Sequence, residues 1–524
     1  MSCYCPRSRT SPKGLLRLPH EPPDSGRRKW CFLFSILISI PSGSSRCTFL
    51  KPDREKRILK STFKLSKLVF FLILLLITET GCTSYHEKPI TSEALAGRLS
   101  APNMDILKVE AGDIKHPILK PIEIDEKKGL GPDEAAVLAV LVNPALRAKR
   151  DQREVSAAQL YQAGILPNPQ FSGSLDFPFA GTTEGTVTAY GLGLGYDVYS
   201  LITRGAEINA ARLHSSAVVL DVAWQEWQVA EAAKRHTYRL YLLEKQLGIA
   251  KEEEKGLQEN YDAIKQAFGF GDKTVIDLSA AQASLERVHL TVLVIEQNLE
   301  QERFSLLQSI GFEPGRPVRL RQEIELPRVS EIPAIENLTG ELADRRIDLV
   351  ALKIGYRSQE ELLRAAVLGQ FPRITTGVSL ARDTSNVVTG GFSITIGLPF
   401  FDRNQGQIAI QRATREQLFD EYVARLFEAR SNIARLKADM QSITRQIKAT
   451  EAYLPTQKRL VATYYEALQQ GNADVLTYYN ARDEFIATRI SLLNLQLQLI
   501  DQFIALEIES GEYLWQAREK ESPR

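Results

Sequence analysis

The chain has 524 residues, 44% hydrophobic and 25% charged, enough for two or three ordinary domains, and its formal charge of +1 hides a split. Residues 1–82 hold 15 basic and 5 acidic side chains while the rest holds 50 and 59, so the long body is mildly acidic and lacks the basic face of a general nucleic-acid binder. All five cysteines (Cys3, Cys5, Cys31, Cys47, Cys82) precede residue 83, which excludes a disulfide, a thiolate metal site or a cysteine nucleophile downstream.

In chain order, residues 1–60 are a basic leader rich in Arg, Ser and Pro, with its own apolar run Cys31–Ile40 after Arg27-Arg28-Lys29; its plainest reading is a misassigned upstream start. Residues 61–82 read as a signal peptide. Lys64 and Lys67 precede the ten-residue apolar run Leu68–Ile77, which ends at Thr78-Glu79-Thr80-Gly81-Cys82, and ten apolar residues are too few for a membrane span. Gly81-Cys82 resembles the end of a bacterial lipoprotein signal, although Glu79 stands where that family usually has an apolar residue. The resemblance implies lipidation of Cys82, palmitate included, and Thr83 after it implies sorting to the outer membrane.

Residues 83–130 form an N-terminal periplasmic segment on this reading, and the body beyond it is duplicated. Asn143-Pro144-Ala145-Leu146-Arg147-Ala148 lies over Arg346-Ile347-Asp348-Leu349-Val350-Ala351 at an offset of 203, with Pro169 over Pro372. Gly205 matches Gly406, and at an offset of 200 Gly271, Val275, Ile276, Ala281 and Leu285 lie over Gly471, Val475, Leu476, Ala481 and Phe485. A period this long is a doubled half-molecule rather than a solenoid. The repeats are 131–318 and 341–512, with a linker at 319–340 and a tail at 513–524. Each repeat is predicted to run helix, two strands, long helix, turn, helix.

The strands alternate with period two. Phe171, Leu175, Phe177 and Phe179 alternate with Ser172, Ser174 and Asp176; after the loop Ala180–Thr186, Tyr190, Leu192, Leu194 and Tyr196 alternate with glycines. In the second repeat Ile374, Val378 and Leu380 alternate with Thr375, Gly377 and Ser379, and Phe392-Ser393-Ile394-Thr395-Ile396-Gly397-Leu398 is apolar at every even position. Lengths of about 9 to 13 residues with aromatic ends fit tilted membrane strands. Four spanning strands cannot close a barrel, so the chain must oligomerise; two copies supply eight strands and three supply twelve.

Two long helices follow the strand pairs. One is predicted from about Gly205 to Phe268, about 95 Å at 1.5 Å per residue, and one from about Gln405 to Leu468, with an expected kink at Pro455. Both are too polar for a bilayer, and apolar residues at three- and four-residue spacing predict packing along neighbouring helices. Each ends at a glycine, Gly271 or Gly471, placed for a left-handed cap, and Thr274 or Asp474 is placed to cap the next helix.

Taken together, Ala135–Leu146, Gln162–Pro169, Ile396–Ala409 and the two glycine turns resemble the outer-membrane factor family of bacterial tripartite efflux systems, the TolC-like channels. The resemblance implies a mainly α fold with membrane β: a homotrimer whose four strands per chain make a twelve-stranded barrel above a periplasmic α-helical barrel. It also implies outer-membrane lipid around the barrel, a periplasmic adaptor (membrane fusion protein) and an inner-membrane pump of the RND type as partners. By it, Gly271, Thr274, Val275, Ile276 and Asp277, with Gly471, Asn472, Asp474, Val475 and Leu476, occupy the adaptor-contact tips. Asp272, Asp277, Asp474 and Asp483 lie near these tips, and none is singled out as a gate. The wording Leu398-Pro399-Phe400-Phe401-Asp402-Arg403-Asn404-Gln405-Gly406 is nearest the heavy-metal cation efflux branch.

The expected function is a passive conduit for heavy-metal cations or drugs, without enzymatic activity, cofactor or metal site. His214, His236 and His289 lack ligand spacing, no nucleotide or hydrolase motif occurs, and Glu252-Glu253-Glu254 reads as a solvated helix face. A type I-like secretion channel for proteins or glycans shares the same expected fold. A periplasmic coiled-coil adaptor would carry one helical hairpin rather than two.

Overall fold

The computed structural model describes residues 84–99, 102–125, 127–327 and 332–514; the leader, the signal and Cys82 lie outside them. Two short helices, α1 (Ser92–Leu99) and α2 (Met104–Gly112), lead to α3 (Pro132–Val142). Nine of the eleven residues of α3 are buried, as its near-continuous apolar sequence requires. Leu130, just before it, pairs with Leu320 of the linker, its N–H reaching the Arg319 carbonyl at 2.9 Å.

The first repeat is α4 (Pro144–Gly164), β1 (Gln170–Asp176), β2 (Ala189–Asp197), α5 (Tyr199–Gly269) and α6 (Val275–Ile310). After short helices α7 (Ile335–Gly340) and α8 (Leu342–Arg345), the second repeats that order: α9 (Ile347–Leu368), β3 (Arg373–Arg382), β4 (Val388–Gly397), α10 (Gln405–Gln469) and α11 (Val475–Ser510). Helix α5 begins six residues before the predicted glycine because the Asp197 carboxylate takes the Tyr199 N–H at 3.0 Å. Helix α10 continues through Pro455. Strand β1 is shorter than expected, 7 residues, since its pairing ends at Asp176↔Ala189 and Pro178 has no N–H to extend the ladder. Phe177 and Phe179 therefore lie in the connecting loop.

The duplication extends to a shared joint. Helices α6 and α11 both end on a left-handed glycine, Gly311 (φ 90°) and Gly511 (φ 65°). A Cβ on Gly311 would sit 2.9 Å from the Asn143 backbone, and one on Gly511 would sit 3.1 Å from the Arg346 backbone. Asn143 and Arg346 are the equivalent residues that open α4 and α9. Asn143 caps α4 and donates to the Ser309 carbonyl at 2.8 Å; Arg346 binds Asp348 at 2.8 Å and Glu509 at 2.6 Å. The core between these joints draws on both repeats, including Leu138, Leu240, Leu306, Leu349, Ile433 and Phe503.

No helix among the described residues is long and apolar enough to cross a membrane.

Candidate functional site

Two regions carry functional geometry: the sheet and the two helical turns. The strands form one antiparallel sheet in the order β1-β2-β3-β4, so the two repeats meet at β2 and β3 while β1 and β4 are open edges. Its register collects the apolar positions on one face: Phe171↔Leu194, Leu194↔Val378 and Val378↔Phe392 run across all four strands, with Leu175↔Tyr190 and Ile374↔Ile396 alongside. Phe171 is 73% exposed and Phe392 68%. An apolar face this continuous, flanked by unpaired edges, calls for an apolar solvent and for more strands.

The opposite face is built from small residues paired across strands, Ser172↔Gly193, Ser174↔Gly191, Gly377↔Ser393 and Ser379↔Gly391. The pairing is tight, for a Cβ on Gly193 would meet the Ser172 hydroxyl at 2.5 Å. The strands measure 7, 9, 10 and 10 residues. Ten residues extend about 34 Å, which a tilt of about 45° reduces to a bilayer core.

The two helical turns share one construction. Gly271 (φ 84°) and Gly471 (φ 75°) take the left-handed conformation, and the following residues, Asp272 and Asn472, donate their N–H groups back to Ala267 and Ala467 at 2.9 and 2.8 Å. Thr274 and Asp277 close a capping box: the Asp277 carboxylate accepts the Thr274 N–H at 2.8 Å and the Thr274 hydroxyl accepts the Asp277 N–H at 3.2 Å. Asp474 accepts the Thr477 N–H at 2.9 Å and the Thr477 hydroxyl at 2.6 Å, and these bonds hold its pKa below the ordinary value. Val275, Ile276 and Leu476 are exposed at 62%, 70% and 54%, as is Phe270 at 84%. Val475 differs, being buried with Tyr478, Tyr479, Leu257 and Ile264.

Below the turns, charged residues tie the hairpins together. Glu253 of α5 accepts from Arg482 and Arg489 of α11 at 3.3 and 2.8 Å, and Glu254 binds His289 at 2.6 Å, which raises the His289 pKa. The expected solvated face at Glu252-Glu253-Glu254 is thus corrected, since two of its three carboxylates face neighbouring helices. Asp483 binds Ser284 at 2.6 Å and Arg287. It is engaged within the chain, as are Asp277 and Asp474 by their caps. His236 binds Glu302 at 2.6 Å. Sequence reasoning missed His116, buried with a 3.0 Å contact to the Ala223 carbonyl and its pKa lowered by burial. It also missed the buried Lys234–Glu507 pair, 2.6 Å long. The Ala-flanked Glu231 and Lys234 on α5 were the available signal. Among the described residues, no three His, Cys, Asp or Glu side chains are grouped to hold a metal ion.

Comparison with known proteins bears on both regions. Residues 136–312 and 338–511 match the outer membrane efflux protein family. SilC of Salmonella typhimurium, a probable outer membrane lipoprotein, is 22% identical over 275 residues, which cover 50% of this chain and 59% of SilC. The cation efflux system protein CusC of Escherichia coli is 24% identical over 260 residues, covering 48% of this chain and 56% of CusC. The chain thus spans little more than half the length of these two relatives. The cobalt-zinc-cadmium resistance protein CzcC of Cupriavidus metallidurans is 21% identical over 407 residues, covering 76% of this chain and 93% of CzcC. A crystal structure of CusC superposes with a TM-score of 0.61 at 19% identity, covering 76% of this chain and 98% of CusC, a likeness of fold.

Proposed function

This chain belongs to the outer membrane efflux protein family, and from that premise we propose that it is the outer-membrane channel of a tripartite efflux system. It is a passive conduit, lipid-anchored through Cys82, that receives its cargo from an inner-membrane pump of the RND type and a periplasmic adaptor. The cargo class is heavy-metal cations, a reading supported by the likeness to the cation efflux system protein CusC and the cobalt-zinc-cadmium resistance protein CzcC. Three copies join their four strands edge to edge, β4 of one to β1 of the next, into a twelve-stranded barrel with the apolar face toward lipid and the Ser/Gly face toward the lumen. The exposed residues of the two turns, Ile276 and Leu476 above all, meet the adaptor, while Gly271, Gly471, Thr274, Asp277 and Asp474 fix the turn shape and Val475 supports it from beneath.

The observation that carries this reading is the continuous apolar face lying between two open sheet edges. In a bilayer every backbone N–H and C=O must be paired, and a four-stranded sheet leaves both edges unpaired. The test is the protein mass of the detergent-solubilised particle by light scattering, with the detergent contribution subtracted. Three chains are expected. A stable monomer would remove the barrel and favour a periplasmic adaptor.

A further inference from the structure

The most deeply buried charges lie where the end of α11 crosses the middle of α5. The Lys234 side chain of α5 has no exposed surface, and its Nζ is 2.6 Å from Glu507 Oε2. The other Glu507 oxygen accepts the Leu514 N–H at 2.9 Å. The Tyr513 ring covers the ammonium at 4.4 Å and is itself met edge-on by Trp227 at 5.0 Å. The chain beyond α11 is thus strapped over the ion pair.

A second carboxyl completes the cluster. Glu231, one turn before Lys234, is fully buried, and its nearer oxygen is 3.9 Å from Lys234 Nζ. Neither of its oxygens has a hydrogen-bond acceptor's usual donor. Two carboxylates and one ammonium would leave a net negative charge out of reach of water, which proteins avoid by neutralising one group. Glu507 accepts from Lys234 and from the Leu514 N–H, whereas neither Glu231 oxygen meets a donor, so Glu231 is the group to be neutralised.

We propose that Glu231 is held as a neutral carboxylic acid, so that the joint between α5, α11 and the C-terminal segment is a proton-dependent latch that loosens when Glu231 ionises. The groups facing it are Lys234 and Tyr238 from α5, Asp133 from α3, Glu507 from α11 and Tyr513 beyond it. Only Lys234 is cationic. Burial, with the Glu507 charge adding to it and Lys234 opposing, raises the Glu231 pKa well above the carboxylate range. Burial alone would lower the Lys234 pKa, but the Glu507 carboxylate 2.6 Å away opposes it and pairs with the ammonium.

The sign of the pH dependence follows. The folded protein keeps a proton that the unfolded chain releases above about pH 4.3, so stability falls as pH rises from there toward the raised value. Glu231→Gln supplies an uncharged amide of the same size that cannot ionise. In the purified full-length protein, the apparent unfolding midpoint of this variant should match the wild type near pH 5 and exceed it by about 2–4 °C near pH 8. Infrared spectra should also show a protonated-carboxyl carbonyl band in the wild type at neutral pH that is absent from the variant. Parallel midpoints across pH, no such band, or failure of Glu231→Gln to accumulate as folded protein would each overturn the proposal.

Discussion

The two long helices arise from one duplicated sequence, yet they serve different surroundings. Helix α5 buries 22 of its 71 residues, whereas α10 buries 6 of its 65. Core residues of α5 include Trp227, Tyr238, Leu240 and Leu242, and both repeats pack against them. Helix α10 instead leaves Phe419, Val423 and Phe427 exposed at 51%, 49% and 72%, a stripe at four-residue spacing. The turns differ in the opposite sense, since Val275 of the first is 62% exposed and its equivalent Val475 of the second is 5% exposed. A duplicated hairpin need not remain two equal hairpins: one has become the spine of the subunit, and the other presents a face that the single chain does not cover.

The largest expected effect tests that uncovered face. In the proposed trimer the α10 stripe is buried by a neighbouring copy, and Phe427 is its most exposed member. Phe427→Glu would replace an apolar contact worth about 2 kcal/mol with a carboxylate that resists burial, and the three sites repeat the loss. The three-chain mass should give way to single chains in light scattering, with helix content by circular dichroism retained. A Phe427→Glu protein that remained fully trimeric would place the subunit contact elsewhere.

Much of this contrast was legible in the sequence, and the limits have physical causes. Period-two alternation set out all four strands, because a sheet with unlike faces must alternate. It could not mark the end of β1, since Phe177 and Phe179 continue the rhythm after the ladder has stopped at Asp176. The turns were legible through Gly271 and Gly471, where a left-handed backbone favours glycine, and through the capping residues after them. The different fates of Val275 and Val475 were not, because equal residues at equivalent positions acquire their burial from tertiary neighbours. The Lys234–Glu507 pair joins residues 273 positions apart, a distance over which no local pattern operates.

An intermediate effect separates the two valines. Val475 fills the seam between the hairpins with Tyr478, Tyr479 and Leu257, so Val475→Ala should cost about 1–2 kcal/mol of stability through lost burial and the space left behind. Val275→Ala removes exposed surface and should leave the unfolding midpoint unchanged. On the proposed adaptor contact, Val275→Ala should lower metal tolerance of cells when combined with Ile276→Ala, with normal levels of trimer in the membrane. Equal stability losses for the two valines would contradict their opposite burial.

The smallest expected effect concerns the caps. At the second turn a titratable carboxylate, Asp474, accepts both bonds from Thr477, whereas at the first the hydroxyl of Thr274 accepts the Asp277 N–H. Because the folded-state pKa of Asp474 is lowered, its stabilisation is complete above the ordinary carboxyl range near pH 3.9 and is lost as pH falls through the lowered value. Asp474→Asn keeps an oxygen acceptor and removes that acid dependence, while Asp474→Ala removes the cap at every pH. Hydrogen exchange of a peptide covering residues 470–480 reports this opening locally. Faster exchange is expected for Asp474→Ala at neutral pH, with Asp474→Asn between it and the wild type. Exchange that is unchanged in Asp474→Ala would mean that Gly471 and the buried Val475 hold the turn without the cap, which would make the second tip the more strongly anchored of the two.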